Sequence, residues 1–370
     1  MLKSFTFPSV YEATNMELRS VASDLLNGMK IKMGDIEYMV GNLVLLEGMS
    51  PHKNINASPE DEEYKLLSKA SLLLVQQHGN SRSFGGAEMS GPVKINLTTG
   101  FPFITYQVFR DLASDYFKGN HVIEFDGSTI GLSENMKKEV DVMGVHIIPE
   151  ILGCNIAIRE GDMQEDQNIF IVSLGYGTCE AVVSSKSGLI HRSLVSTHGI
   201  RYAVNSFAAE MAKLYNLGIK TEHQMDQIFQ QSSAIVNRKR VNVHEEREKA
   251  LKIYFKHVIL PALLKAFTDD DFKKCSKMYL VGGGALYQEL VTCFEEEFGE
   301  FVTIEVYPEP EKCASQGYCL YSGLMAAEIQ KNSNSIEQFD IENLSSVGED
   351  VLKVGIDIGN ANTCVTILKE

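Results

Sequence analysis

Positive charge is scarce in this chain: 34 Lys and Arg stand against 49 Asp and Glu, a formal net charge of −15. A surface this acidic is a poor direct ligand for DNA, RNA or an anionic membrane, because phosphate recognition needs a basic face. Long apolar runs are missing as well. Ser71–Val75, with its leucine triplet, is among the longest, far short of the roughly 20 residues a membrane span requires. The opening residues Met1–Pro8 hold no extended apolar stretch and no small-residue cleavage site, so they do not read as a signal peptide. The seven cysteines form no CxxC pair and no zinc-like spacing, and the nine histidines form no HExxH. The expectation is reduced, buried thiols in a cytoplasmic protein without a structural metal site. What is present is an ordinary globular balance, 44% hydrophobic and 22% charged over 370 residues. That excludes wholesale disorder and suggests two domains.

Strand-like and helical patterns alternate along the chain. Ile31–Asn42 and Leu43–Glu47 read as strand pieces, 61–77 as a helix with apolar residues at steps of three and four, and Pro92–Thr98, Val122–Phe125 and Val145–Ile148 as strands. Asn168–Leu174 is a buried strand, followed by a glycine turn and the strand Thr178–Ser184. A helix runs from Gly199 to about Leu217, and another over 246–267 with a kink expected at Pro261. The basic tripeptide Arg238-Lys239-Arg240 lies in a polar stretch and reads as a solvated face rather than a nucleic-acid site. Met278–Val281 and Val302–Tyr307 are strands, 316–330 a helix and 331–350 a polar linker. Val351–Ile358 and Thr363–Leu368 form a final pair of strands.

Three glycine-rich turns carry the chemistry. Asp357-Ile358-Gly359-Asn360-Ala361-Asn362-Thr363 joins two strands through a small turn whose backbone N–H groups can point at phosphate oxygens, with Gly359, Asn360, Asn362 and Thr363 as contacts. Asp357, closing the first strand, can hold the waters of a magnesium ion and is the one metal candidate, acting through water. A plain hairpin with an Asn turn is the alternative. Ser173-Leu174-Gly175-Tyr176-Gly177-Thr178 repeats the pattern. Two such hairpins facing each other clamp the phosphates of a nucleotide. Gly282, Gly283 and Gly284 follow an apolar strand and precede a helix, where glycine lets backbone approach a purine or ribose.

With these motifs the sequence resembles the actin, heat-shock ATPase and sugar-kinase superfamily, and within it the ParM-type bacterial and archaeal actin-like proteins. The hairpins at 357–363 and 173–178 look like its phosphate 1 and phosphate 2 motifs, and Gly282–Ala285 like its adenosine motif. Phe7-Pro8-Ser9-Val10, Tyr38-Met39-Val40-Gly41, Thr98-Thr99-Gly100-Phe101-Pro102 and Ser315-Gln316-Gly317-Tyr318 are similar to further segments of that family. The resemblance implies an α/β fold of two actin-like domains, each a mixed five-stranded sheet flanked by helices. These would be 1–160 plus 325–370, and 161–324. It also implies that Glu150, in the Pro149-Glu150 step, orients the water attacking a γ-phosphate; a helix-start glutamate near the N-terminal dipole is the alternative. Catalytic candidates are therefore Glu150 and Asp357. Ser173 stands where the family carries aspartate, so nucleotide binding is expected and the hydrolysis rate is open.

The motif order departs from the family's, which runs phosphate 1, phosphate 2, adenosine. Joining Glu370 to Met1 restores it, so the chain resembles a circular permutant cut in a hairpin turn, with the former ends joined through 331–350. The function implied is a filament-forming, nucleotide-hydrolysing actin-like protein using ATP or GTP with Mg2+. Its partner is itself, head to tail, and it acts in DNA segregation through an adaptor protein, without binding nucleic acid or membrane directly. A monomeric small-molecule kinase and a non-hydrolysing structural actin are the alternatives.

Overall fold

A computed structural model describes residues 1–53, 58–79, 91–215, 221–335 and 351–368. In chain order the strands are β1 Leu2–Pro8, β2 Val10–Ala13, β3 Lys30–Met33, β4 Ile36–Val40, β5 His52–Lys53, β6 Val93–Phe101, β7 Gly119–Phe125, β8 Met136–Pro149, β9 Ile169–Leu174, β10 Thr178–Ser185, β11 Gly188–His198, β12 Ser233–Val236, β13 Lys239–Asn242, β14 Lys277–Val281, β15 Thr303–Val306, β16 Leu352–Ile358 and β17 Asn362–Leu368. The helices are α1 Asn42–Glu47, α2 Glu62–Gly79, α3 Phe103–Phe117, α4 Glu150–Glu160, α5 Arg201–Tyr215, α6 Glu222–Gln231, α7 His244–Tyr254, α8 Leu260–Ala266, α9 Asp269–Lys274, α10 Gln288–Phe298 and α11 Cys313–Ser335.

Two large sheets organise these elements into layers. The second follows the order β11-β10-β9-β14-β15, a five-stranded mixed sheet as expected. The first differs: ten strands pair in the order β1-β17-β16-β6-β8-β7-β3-β4-β2-β5. Its first five form the mixed sheet read from the sequence. The excess arises because β8, fourteen residues long, pairs with β6 on one edge and β7 on the other, carrying the ladder into β3, β4, β2 and β5.

β9 shows why the second sheet sits inside. Every one of its residues is buried, and the pleat sends alternate side chains to opposite faces. Phe170, Val172 and Leu174 join the core formed with α5, α7 and α10. Ile169 and Ile171 join a separate core with α4 and α11. A strand covered on both faces reads as a continuous apolar run. In the first domain Leu352, Val354, Ile356 and Ile358 of β16 face the core with α2. The pleat then turns Gly355 and Asp357 the other way, toward α11. Helices α4 and α11 thus lie between the sheets. They cross with almost no gap: a Cβ placed on Gly317 would lie 1.8 Å from the Gly153 carbonyl oxygen, so only glycine allows this approach.

Three expectations change. Leu43–Glu47 is not a strand but most of α1: Leu43 and Val44 are buried while Leu45 and Leu46 are exposed, a helical rather than alternating pattern that a short apolar run does not reveal. The break near Pro261 is met by a π-helical turn, Phe255–Ile259, joining α7 to α8, one of the ways a helix absorbs an interrupted hydrogen-bond ladder. The first five residues of the expected linker 331–350 belong to α11, and 336–350 lie outside the described residues.

Candidate functional site

The glycine-rich turns converge. Asp357 ends β16 opposite Cys364 of β17, and the turn closes with Gly359 N–H donating to the Asn362 carbonyl at 3.1 Å. The β9–β10 turn lies against it: a Cβ on Gly177 would sit 2.6 Å from Asn360 Oδ1. Carbonyls of the second turn are taken by the segment leading into α5, where Gly199, Ile200 and Arg201 N–H groups bond Gly177, Gly175 and Tyr176 oxygens at 2.9–3.1 Å. Fixed this way, the carbonyls of the turn face the start of α5. Thr178 and Thr363 open the second strand of each hairpin, and Thr363 Oγ1 pairs with Ser9 Oγ at 2.8 Å. Gly282 follows β14, whose last residue Val281 is opposite Ser173. It holds φ +81° and packs so that a Cβ would lie 2.8 Å from the Leu174 carbonyl oxygen, a conformation and an approach suited to glycine. Gly283 has open space where a side chain would be, whereas Gly284 is packed on Leu174 and Ile200. The three motifs thus lie on turns and strand ends that touch one another, Gly177 against Asn360 and Gly282 and Gly284 against Leu174.

The floor of the cleft is acidic. Pro102 and Pro149 precede α3 and α4, and the parallel register of β6 with β8 puts Phe101 beside Pro149, so both helices start at the same level. Glu150 is the first residue of α4 and accepts a hydrogen bond from Ser173 Oγ at 2.9 Å. The Ser173 hydroxyl, standing where the resemblance puts an aspartate, is thus directed at Glu150. Burial raises the Glu150 carboxyl above its ordinary range, with the Ser173 bond pulling the other way. Burial, reinforced by the Glu150 charge, holds Asp357 well above the carboxylate range. Both side chains retain some exposed area although protein surrounds them, as befits groups at the bottom of a narrow cleft.

A third carboxylate escaped the sequence reading. Glu180 on β10 is opposite Ser173 and only 1% exposed. Its Oε1 accepts from the Phe103 N–H at 2.7 Å, and its Oε2 has no partner among the described residues. Burial, then the Glu150 charge, pushes it up to about 8. Three neighbouring acids are thus shifted upward together, each chiefly by burial, the kind of cluster that marks a candidate site. Glu180 is the one charged residue of the strand Thr178–Ser185, a feature whose meaning comes only from its partners in the fold. No group of three or more His, Cys, Asp or Glu among the described residues is arranged to cage a metal directly.

Lys53 was also missed. It is 8% exposed, bonds Asp226 of α6, and its Nζ lies 3.5 Å from the centre of the Tyr176 ring. The Tyr176 hydroxyl donates to Glu222 at 3.1 Å, and Glu222 is paired with Arg201 at 2.8 Å. The Tyr176 side chain of the β9–β10 turn is therefore held by Lys53 of β5 on one side and Glu222 of α6 on the other. No feature of the sequence around His52-Lys53 announces this.

Residues 2–153 match the family model described as actin like proteins N terminal domain. Among solved structures, the chain is similar to the ParM of a 15-stranded filament from Clostridium botulinum, with TM-score 0.67 and 17% identity over 86% of this chain and 92% of that one. It is similar to the archaeal actin homolog Ta0583 in complex with ADP, with TM-score 0.61 and 12% identity over 87% and 92%. It is also similar to MreB 5 of Spiroplasma citri bound to AMPPNP, with TM-score 0.50 and 14% identity over 81% and 83%. No curated protein matches the chain.

Proposed function

We propose that this chain, an actin-like protein by its fold and by the family match over residues 2–153, assembles into filaments under the control of a bound nucleoside triphosphate, ATP or GTP with Mg2+, and hydrolyses it. The observation that carries this reading is the contact of the two hairpin turns, Gly177 against Asn360. That the similar structures include an ADP complex, an AMPPNP complex and a ParM filament supports it.

In this reading the turns 359–362 and 175–178 cradle the phosphates, and Gly282–Gly284 give backbone access to the purine. Asp357 orients the waters of the cation. Glu150, its pKa raised by burial, holds the attacking water and takes its proton, a role that needs a base matched to neutral pH. The bound magnesium would supply charge neutralisation for the leaving phosphate and for the three clustered acids. Ser173 contributes no charge of its own, so turnover rests on Glu150.

The domains are placed at 1–160 plus 325–370, and 161–324. The chain is read as a circular permutant, supported by the antiparallel pairing of β17 with β1 from Leu2↔Leu368 to Pro8↔Asn362 and with β16 on its other side. Assembly is head to tail, a heterologous contact that does not close. Coupling to DNA goes through a separate adaptor, in keeping with the net charge of −15.

The test is light scattering and negative-stain microscopy with ATP or GTP and Mg2+, alongside phosphate release. Filaments that form with nucleotide and shorten as phosphate is released are expected. A protein that binds nucleotide yet stays monomeric at high concentration points to the small-molecule kinase instead.

A further inference from the structure

The two-stranded ribbon β12–β13 belongs to neither large sheet. Its turn, Asn237-Arg238, holds positive φ at both positions, 49° and 65°, the backbone of a tight hairpin that presents its side chains outward. Arg238, Lys239 and Arg240 are all exposed, and Ile235, opposite Arg240, is 68% exposed. None of the three cations has an ion pair or a side-chain hydrogen bond among the described residues. In a chain of net charge −15, three adjacent unpaired cations beside an exposed isoleucine form a local surface opposite in sign to the chain's net charge.

Its complement lies on the same domain. The last turn of α10 and the following loop expose Glu295, Glu296, Glu297 and Glu300 around Phe301, itself 64% exposed. These acids too are unpaired among the described residues. One patch is cationic with an aliphatic centre, the other anionic with an aromatic centre.

The fold puts them toward opposite ends of one helix. The ribbon leads into α7, whose first residue His244 lies 3.3 Å from Glu289 at the start of α10. That start follows the Gly282–Leu286 turn at the carboxyl end of β14. The acidic patch sits at the far end of α10, where Thr303 N–H bonds Ser276 and Ser276 N–H bonds Asn168, the amino ends of β15, β14 and β9. The base of the ribbon and the acidic patch thus lie toward the two ends of α10, about 16 Å long for an eleven-residue helix. The two complementary surfaces make no ion pair with each other within the described residues. Between copies they can meet, and repeating that contact gives an open row.

We propose that the basic ribbon Ile235–Arg240 of one copy docks on the acidic end Glu295–Phe301 of the next and forms the longitudinal contact of the assembly. This rests on the filament reading above and names its surfaces. Charge guides and orients the approach, while Ile235 and Phe301 supply the apolar centre.

The experiment is a charge swap. One variant carries Arg238→Glu, Lys239→Glu and Arg240→Glu; the other carries Glu295→Lys, Glu296→Lys and Glu297→Lys. Binding of a fluorescent nucleotide and a thermal melt establish that each is folded, and pelleting with ATP and Mg2+ gives the critical concentration. Each variant alone is expected to need at least about tenfold more protein to assemble, since three exposed pairs turn from attraction to repulsion. Mixed one to one, the two should co-assemble near the wild-type concentration, because every junction is again between opposite charges. Normal assembly of either variant alone, or a mixture that stays soluble, overturns the proposal while leaving the filament reading intact. A ribbon variant that assembles normally but no longer shifts duplex DNA overturns it in favour of a nucleic-acid surface. A wild-type protein that binds nucleotide and never pellets overturns the filament reading and this contact with it.

Discussion

Lys53 of β5 and Asp226 of α6 are joined by a buried ion pair, with the Tyr176 ring of the β9–β10 turn packed under the ammonium. Burial pulls the Lys53 pKa down and Asp226 pulls it back. The Asp226 Oδ2 also accepts from Gln230 at 3.0 Å, while Oδ1 has no partner among the described residues.

Removing one member of this pair leaves the other charge buried. Lys53→Met is therefore expected to cost about 3–5 kcal/mol in urea unfolding and to weaken nucleotide binding by loosening the two domains. Adding Asp226→Leu should return much of the stability but not the affinity. A loss below about 1 kcal/mol for the single variant would show that water reaches the pair and that it does not hold the cleft.

At the cleft floor, Asp357→Ala should abolish magnesium-dependent nucleotide binding and assembly. Glu150→Ala should bind nucleotide nearly as well, release phosphate roughly 10²-fold more slowly and make longer-lived filaments. Isothermal titration and a phosphate-release assay separate the two. Wild-type phosphate release in Glu150→Ala would reduce Glu150 to the start of α4.

Glu180 gives a pH prediction with a definite sign. Its pKa in the fold is about 8, against an ordinary 4.5. Between those values the folded state holds a proton that the unfolded state has lost. Stability from this group therefore falls as pH rises from about 4.5 to about 8 and is level above that. Glu180→Gln keeps the bond from Phe103 and removes the penalty. It should raise stability at pH 8 by on the order of 2–4 kcal/mol more than at pH 5, read from urea midpoints. Equal gains at both pH values would mean the acid is already ionised at pH 5.

Gly317→Ala tests the crossing of α4 and α11. Its methyl would meet the Gly153 carbonyl oxygen at 1.8 Å, and backbone cannot step aside as a side-chain tip does. A loss of at least about 3 kcal/mol is expected. Gly91→Ala, where nothing lies within 4 Å, serves as the neutral control.

The turns themselves were legible because glycine directly after an apolar run marks where a strand ends and the chain reverses, and the structure has a turn at each of the three places. Ser315-Gln316-Gly317-Tyr318 was legible only as a resemblance. The structure gives it a cause: Gly317 lets α11 touch α4, and Tyr318 fills the space against Gly153 and Gly355. Glu180 and Lys53 were not legible, because a single charge in a strand acquires meaning only from partners 30 to 170 positions away. The ten-strand ladder was hidden for the same reason. Pairing of β8 with both β6 and β7 is a long-range fact with no local pattern. The helix α1 was lost to a four-residue apolar run that fits either period.

β17 lies between β1 and β16, yet it is the last strand of the chain. On the ribosome, Leu2–Pro8 emerges long before its partner Asn362–Leu368 exists, a delay of roughly 20–70 s at about 5–20 residues per second. Every strand of the second domain's sheet lies between Ile169 and Val306, so that sheet can close during synthesis. The first domain cannot, and its β1 waits with an open edge that any other strand is able to occupy. The hairpin 357–363 is made well after the turns at 175–178 and 282–284, so during the synthesis of everything between Met1 and Asp357 the nascent chain lacks one of the turns of its candidate site.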